Sequence, residues 1–317
     1  MNAAAWTFEH GLHDLGNGAW AWLQPDGGWG WSNAGLIVDG DQSLLVDTLF
    51  DARLTRDMLA AMHDATGLGA EDIGTLVNTH ANGDHTHGNG LCTHAEIIAS
   101  KASAREMETV SAETLKGLVE AAPDMGETGA YFTSIFDMFD FGDVAERMPT
   151  RTFTGEMAVQ VGDKRVELIE VGPAHTAGDV LVHVPGDRIV YTGDILFIDG
   201  TPIMWAGPVS NWIAACDRIL AMDVEAIVPG HGPITDKAGV RKVQDYLRYI
   251  DGEARKRFNA GLSARDAAHD IALGDYGSWL DAERIAVNVD TLYREYSGDT
   301  SAPDIRMLFG LMAELKR

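Results

Sequence analysis

Four short apolar runs in this 317-residue chain each end at a glycine or proline turn that carries a histidine or an aspartate. Glu71-Asp-Ile-Gly-Thr-Leu-Val-Asn78 runs into Thr79-His80-Ala81-Asn82-Gly83-Asp84-His85-Thr86-His87. Val166-Glu-Leu-Ile-Glu-Val171 runs into Gly172-Pro-Ala-His175-Thr. Arg188-Ile-Val-Tyr191 runs into Thr192-Gly-Asp194, and Glu225-Ala-Ile-Val228 into Pro229-Gly-His231-Gly-Pro233. Runs of this kind between turn residues read as strands, and an α/β protein places its chemistry at strand ends. Imidazole and carboxylate are costly to bury unpaired. Four strand ends converging on one sheet edge would gather His80, Asp84, His85, His175, Asp194 and His231, a donor set suited to zinc, iron or manganese.

With Gly-Pro-Ala-His175-Thr, Thr-Gly-Asp194 and Pro-Gly-His231-Gly following His80-x-x-x-Asp84-His85 in order, the sequence resembles the metallo-β-lactamase-fold superfamily of metallohydrolases over roughly residues 15 to 240. The resemblance implies an α/β fold, a four-layer αβ/βα sandwich. It implies that His80, the second histidine of a His-x-His-x-Asp-His motif and His175 hold one metal. Asp84, His85 and His231 hold a second, with Asp194 between them. Asp47, at the end of Ser43-Leu-Leu-Val46, stands where relatives keep a carboxylate that supports the ligands from behind; as a residue type it serves equally as a helix N-cap. Trp29 and Trp31, in Gly27-Gly-Trp-Gly-Trp31, occupy a loop that flanks the metal in relatives, so they either touch substrate or pack onto the sheet.

This sequence has Asn82 where the second histidine belongs, and an amide oxygen is a weak ligand beside imidazole. Either Asn82 contacts metal or its water, or the first position is held by fewer ligands, or His87 bends back as a substitute. The resemblance implies a hydrolase for an ester, lactone, thioester or amide bond, using one or two Zn2+ per chain, with Asp84 and Asp194 as catalytic groups orienting a metal-activated hydroxide. No Gly-x-Ser-x-Gly elbow offers an acyl-enzyme route. Two alternatives stay open. His80, His175 and Asp194 alone make the two-histidine, one-carboxylate set of mononuclear non-haem iron oxygenases, resembling persulfide dioxygenases of this superfamily, and a non-catalytic metal-binding protein also fits.

The apolar share of 45% and charged share of 23% are those of an ordinary globular protein. A net charge of −24, from 24 basic against 48 acidic residues, disfavours nucleic acid and anionic membranes as partners and leaves a small molecule as substrate. Cys92 and Cys216 make no disulfide framework; Cys92 is read as a buried filler or a neighbour of the metal. The N-terminus lacks a basic start and continuous apolar run, so a cytoplasmic location is expected. Residues 52–66 show helical spacing. An insertion at about 101–140 carries a helix-like stretch, 102–121, and the Met- and Phe-rich Tyr131–Phe141, which suits core packing, a homo-oligomer contact or a lid. Met204 and Trp205 follow the Thr-Gly-Asp turn and are expected to border the pocket. The expected catalytic domain is 1–237, with 238–317 a helical extension packed on it or on a second subunit, without residues that signal chemistry.

Overall fold

The computed structural model describes residues 6–109 and 111–316. One sheet runs in sequence order: β1 (Gly11–Gly16), β2 (Ala19–Leu23), β3 (Ala34–Asp39), β4 (Gln42–Val46), β5 (Thr75–Val77), β6 (Glu96–Ser100) and β7 (Arg151–Phe153). Its first four strands pair antiparallel, and β4 to β7 pair parallel. The second sheet has the order β12 (Ala226–Val228), β11 (Ile189–Tyr191), β10 (Val180–Val184), β9 (Lys164–Glu170) and β8 (Glu156–Val161), with β11 and β12 parallel.

Alternation of apolar residues sorts the layers. Leu44, Val46, Val77 and Ile98 of the first sheet share a core with Val180, Val182, Ile189, Tyr191 and Val228 of the second. Their neighbours Leu45, Leu76 and Ile97 turn outward, as do Leu181, Val190 and Ile227, into a cluster with the helices. A strand that is apolar at every position is buried on both faces, and here the outer faces carry α1 (Ala52–Thr66) on one side and α5 (Val209–Ala221) and α6 (Lys237–Asn259) on the other. The result is the expected four-layer sandwich. No helix among the described residues is long and apolar enough to cross a membrane.

The insertion folds as α2 (Lys101–Met107), α3 (Ala112–Ala121) and α4 (Gly126–Phe136). The single helix expected over 102–121 is two, because Ser111 starts a second one: its side chain accepts from Thr114 N, as an N-cap does. Strand β1 begins at Gly11, ahead of residue 15 where the family resemblance starts. The C-terminal extension continues from α6 through α7 (Ala264–Asp270), α8 (Ile285–Ser297) and α9 (Ile305–Leu315). Tyr246, Leu247, Leu292 and Met312 join the same apolar cluster as Trp212 of α5 and Phe136 of α4, so insertion, core and extension pack as one body.

At Gly35 of β3 the two sheets come close: a Cβ there would stand 2.2 Å from the Tyr191 ring. That ring is buried and tied through its hydroxyl to the Trp20 carbonyl at 2.9 Å. Gly35→Ala is therefore expected to destabilise the fold by about 1–3 kcal/mol, read as a lower urea midpoint with an unchanged m-value.

Candidate metal centre

Parallel pairing of β4 with β5 and of β11 with β12 sends the C-terminal ends of these strands to a common edge. Past β5, the turn Gly83–His85 presents Asp84 and His85. Past β11, the turn Gly193–Ile195 presents Asp194, and Gly230 N donates to Gly193 O at 2.8 Å, bringing the loop after β12 alongside. A Cβ on Gly230 would lie 2.0 Å from Asp194 Oδ1, so glycine is what admits that carboxylate. Val180 N donates to Thr79 O at 2.8 Å, joining the start of β10 to the loop after β5 and setting His175 near His80.

The six residues singled out by the strand-end pattern meet. His231 Nε2 is 3.2 Å from Asp84 Oδ2, His85 Nε2 is 3.1 Å from Asp194 Oδ1, and His175 Nε2 is 3.3 Å from Asp194 Oδ2. His231 and His80 stand 3.5 and 3.7 Å from the same Asp194 Oδ2. Donors on one tetrahedral ion with bonds of about 2.0–2.1 Å stand about 3.3–3.4 Å apart, so these spacings suit shared metal. All six are at least nine-tenths buried. His80 Nε2, His85 Nε2 and Asp194 Oδ1 have no hydrogen-bond partner among the described residues, and buried polar atoms ordinarily have one. Two trios, His80–His85–Asp194 and Asp84–His85–His231, keep their donor atoms within 4.8 Å.

The other ring nitrogens explain the orientation. Each Nδ1 donates outward to oxygen: His80 to the Thr79 hydroxyl at 3.0 Å, His85 to Asp47 Oδ2 at 3.0 Å, His175 to Ile203 O at 2.6 Å and His231 to Gly27 O at 3.2 Å. That places a proton on Nδ1 and makes Nε2 the ring atom turned to the carboxylates, the one a metal would take. Asp47 also accepts from Thr79 N and Oγ1, both at 2.7 Å. Helix α1 is capped instead by Asp51, which accepts from Leu54 N at 2.7 Å.

His87 turns elsewhere. Its Nδ1 meets Phe50 O at 3.3 Å, its ring stacks on Phe50, and its Nε2 is 3.9 Å from Glu146. Gly83 is the contact that puts this ring behind the turn, since a Cβ there would lie 2.3 Å from His87 Cε1. Asn82 faces the centre: its Nδ2 donates to His175 Nε2 at 3.1 Å. Trp29 packs edge-on against Phe136 of α4 and beside Phe309 of α9, and Trp31 lies 5.0 Å from Phe139. Met204 is fully buried, while Trp205 is partly exposed and donates its N–H to His175 O at 3.0 Å. Cys92 is a core residue, its thiol pushed up to about 12 by burial. Sequence reasoning missed Asn33, which donates to Pro229 O and Gly232 O at 3.0 and 2.8 Å and so shapes the His231 turn. It also missed Phe197, stacked 5.0 Å from His231. Neither residue type carries a local signal for such a role.

The family profile described as the metallo-beta-lactamase superfamily matches residues 27–231, well over half of the chain. The chain belongs to this superfamily. It is 25% identical over 205 residues to the alpha subunit of a 2,4-dinitroanisole O-demethylase from Nocardioides sp. (strain JS1661), covering 62% of this chain and 51% of that protein. It is 25% identical over 249 residues to the acyl-coenzyme A thioesterase MBLAC2 of Gallus gallus, covering 73% and 82%. Among solved structures, the sec-alkylsulfatase Pisa1 from Pseudomonas sp. aligns with TM-score 0.67 at 15% identity, over 91% of this chain and 50% of that one. A metallo-β-lactamase from Pontibacter korlensis aligns with TM-score 0.57 at 16% identity, over 76% and 99%. The chain thus spans about half the length of the demethylase subunit and of the sulfatase.

Charge in the metal-free cluster follows from burial set against neighbouring ions. Burial holds His80 and His175 below the usual imidazole range. Burial also opposes the imidazolium of His231, but Asp194 and Asp84 outweigh it and push the group up to about 9. His85 is raised likewise by Asp194, Asp84 and Asp47. Unfolded, both lose their proton near 6.5. Their stabilising contribution is therefore complete below about 6.5 and disappears as pH rises through the folded values. Chelator-treated protein is expected to lose up to about 3 kcal/mol of unfolding free energy through His231 between about pH 6.5 and 9, measured by urea titration at both ends.

Proposed function

We propose that this protein is a metal-dependent hydrolase of a small, partly apolar substrate carrying an ester, lactone, thioester or amide bond. The observation that supports it is the common aim of His80, His85, His175 and His231, each with Nδ1 tied to oxygen and Nε2 turned to the carboxylates of Asp84 and Asp194. His80, His175 and Asp194 would hold one cation, and Asp84, His85, His231 and Asp194 a second. A divalent cation there would make hydroxide available at neutral pH, by lowering the pKa of its water to about 7.

The chain's own groups do the rest. Asp84, held down to about 2 because His85 and His231 outweigh the effect of its burial, stays ionised and can accept a hydrogen bond from the attacking water. Asp194, held well below its ordinary value by the four histidines against burial, has the same capacity. Asp47 keeps the ring of His85 in place from behind. A thioester is the first substrate to test, because relatives covered over 72% and 82% of their length are named acyl-coenzyme A thioesterases. Zinc suits the nitrogen and oxygen donors.

Asn82 makes the two positions unequal. Its amide nitrogen stands 3.1 Å from His175 Nε2, and its oxygen is a poorer ligand than imidazole. This residue also favours a second reading, one iron held by His80, His175 and Asp194 for oxygen chemistry. Metal analysis of the purified protein separates the two: zinc approaching two per chain agrees with the hydrolase, and one oxygen-sensitive iron overturns it. Asn82→His is expected to raise metal content at the first position, and unchanged stoichiometry would remove Asn82 from that place. Asp194→Ala and His231→Ala are expected to reduce thioester and ester hydrolysis below detection in a substrate screen.

A further inference from the structure

We infer that the helical extension is a working part of the metal centre: α8 and the turn before it hold residues 201–204 so that the Ile203 carbonyl fixes the ring of His175. The inference rests on the proposed metal site. The superfamily match ends at residue 231, so the extension lies outside what that match describes.

The backbone from 201 to 207 is divided between two partners. Thr201 N donates to Leu280 O at 2.8 Å, and Arg284 Nη1 donates to Thr201 O at 3.0 Å. Asn288 Nδ2 donates to Pro202 O and Asn288 Oδ1 accepts from Met204 N, both at 2.8 Å. The Thr291 hydroxyl donates to Met204 O at 2.6 Å. Between these anchors, the Ile203 carbonyl faces the other way and accepts from His175 Nδ1. Trp205 N and Ala206 N then donate to His175 O at 3.0 and 3.1 Å, and Gly207 N to Ala174 O at 2.9 Å. One strip of backbone thus has the extension on one side and His175 on the other.

Asn288 is the centre of this brace. It is 1% exposed, and its Nδ2 also donates to the Tyr246 hydroxyl of α6 at 2.9 Å, so its amide is fixed by three groups. It touches neither the metal position nor His175 and is a positioning residue. The partner of a ligating imidazole's far nitrogen sets the tautomer and aim of the ring, and losing such a partner lowers metal affinity about 10- to 100-fold.

The test uses full-length protein, stripped of metal and titrated with Zn2+ against a chromophoric chelator, with the visible spectrum of the Co2+ form as a second readout. Asn288→Ala is expected to weaken the His175-bearing position by about tenfold or more, change the Co2+ bands and leave the other position unaltered. Asn288→Asp keeps the oxygen that accepts from Met204 N and should fall between the two. Leu292→Ala removes a fully buried side chain of α8 outside these hydrogen bonds, and should lower the melting temperature without changing either affinity. If Asn288→Ala does not fold, Thr291→Val removes only the hydroxyl on Met204 O and carries the same expectation. Native affinities in Asn288→Ala, or an equal loss in Leu292→Ala, overturn the brace and leave the proposed function standing. A native chain that binds neither Zn2+ nor Co2+ overturns both.

Discussion

The Asp194 carboxylate is the group around which the structure has to be built. It stands 3.1–3.7 Å from the inward nitrogens of all four histidines and is 3% exposed. Removing such a charge from water costs several kcal/mol unless positive charge is returned to it. In the metal-free protein, protons on His85 and His231 return it, since both imidazoles are raised. Bound cations would take over that role and release those protons, which couples metal binding to pH.

That requirement reaches into the surrounding loops. Gly230 lacks a side chain where any Cβ would collide with Asp194, and a Cβ on Gly193 would stand 2.4 Å from Thr79 Oγ1. Asp47 adopts a left-handed backbone, φ 61°, a conformation costly to most side chains but open to aspartate. There it collects Thr79 and His85 on one carboxylate. The insertion and extension close around the same region: Phe136, Phe139 and Phe309 pack on the Trp29–Trp31 loop, and the Tyr131 hydroxyl donates to Glu283 at 3.0 Å. The loop read either as touching substrate or as packing down is thereby a packing element between them.

Much of the fold was legible because its signals are local. Alternating apolar residues with glycine, proline and aspartate turns marked the strands that deliver the six candidate ligands, and helix 52–66 shows its period directly. The break within 102–121 was less visible, because the cap at Ser111 is one residue in an otherwise helix-favouring stretch. His87 could not be placed from sequence. Its neighbours His85 and Asp84 are ligand types, and only the packing of its ring on Phe50 and against Gly83 turns it away.

By itself the sequence determined which groups stand at which strand ends, and that one of them, Asn82, departs from the family's histidine. Those are properties of neighbours along the chain. Only the tertiary structure decided that Asp47 accepts from His85 rather than capping α1, that Asn33 shapes the turn of His231, and that Asn288 braces the carbonyl beneath His175. Each of these depends on hydrogen bonds between segments far apart in the chain, and such bonds leave no period or spacing to read.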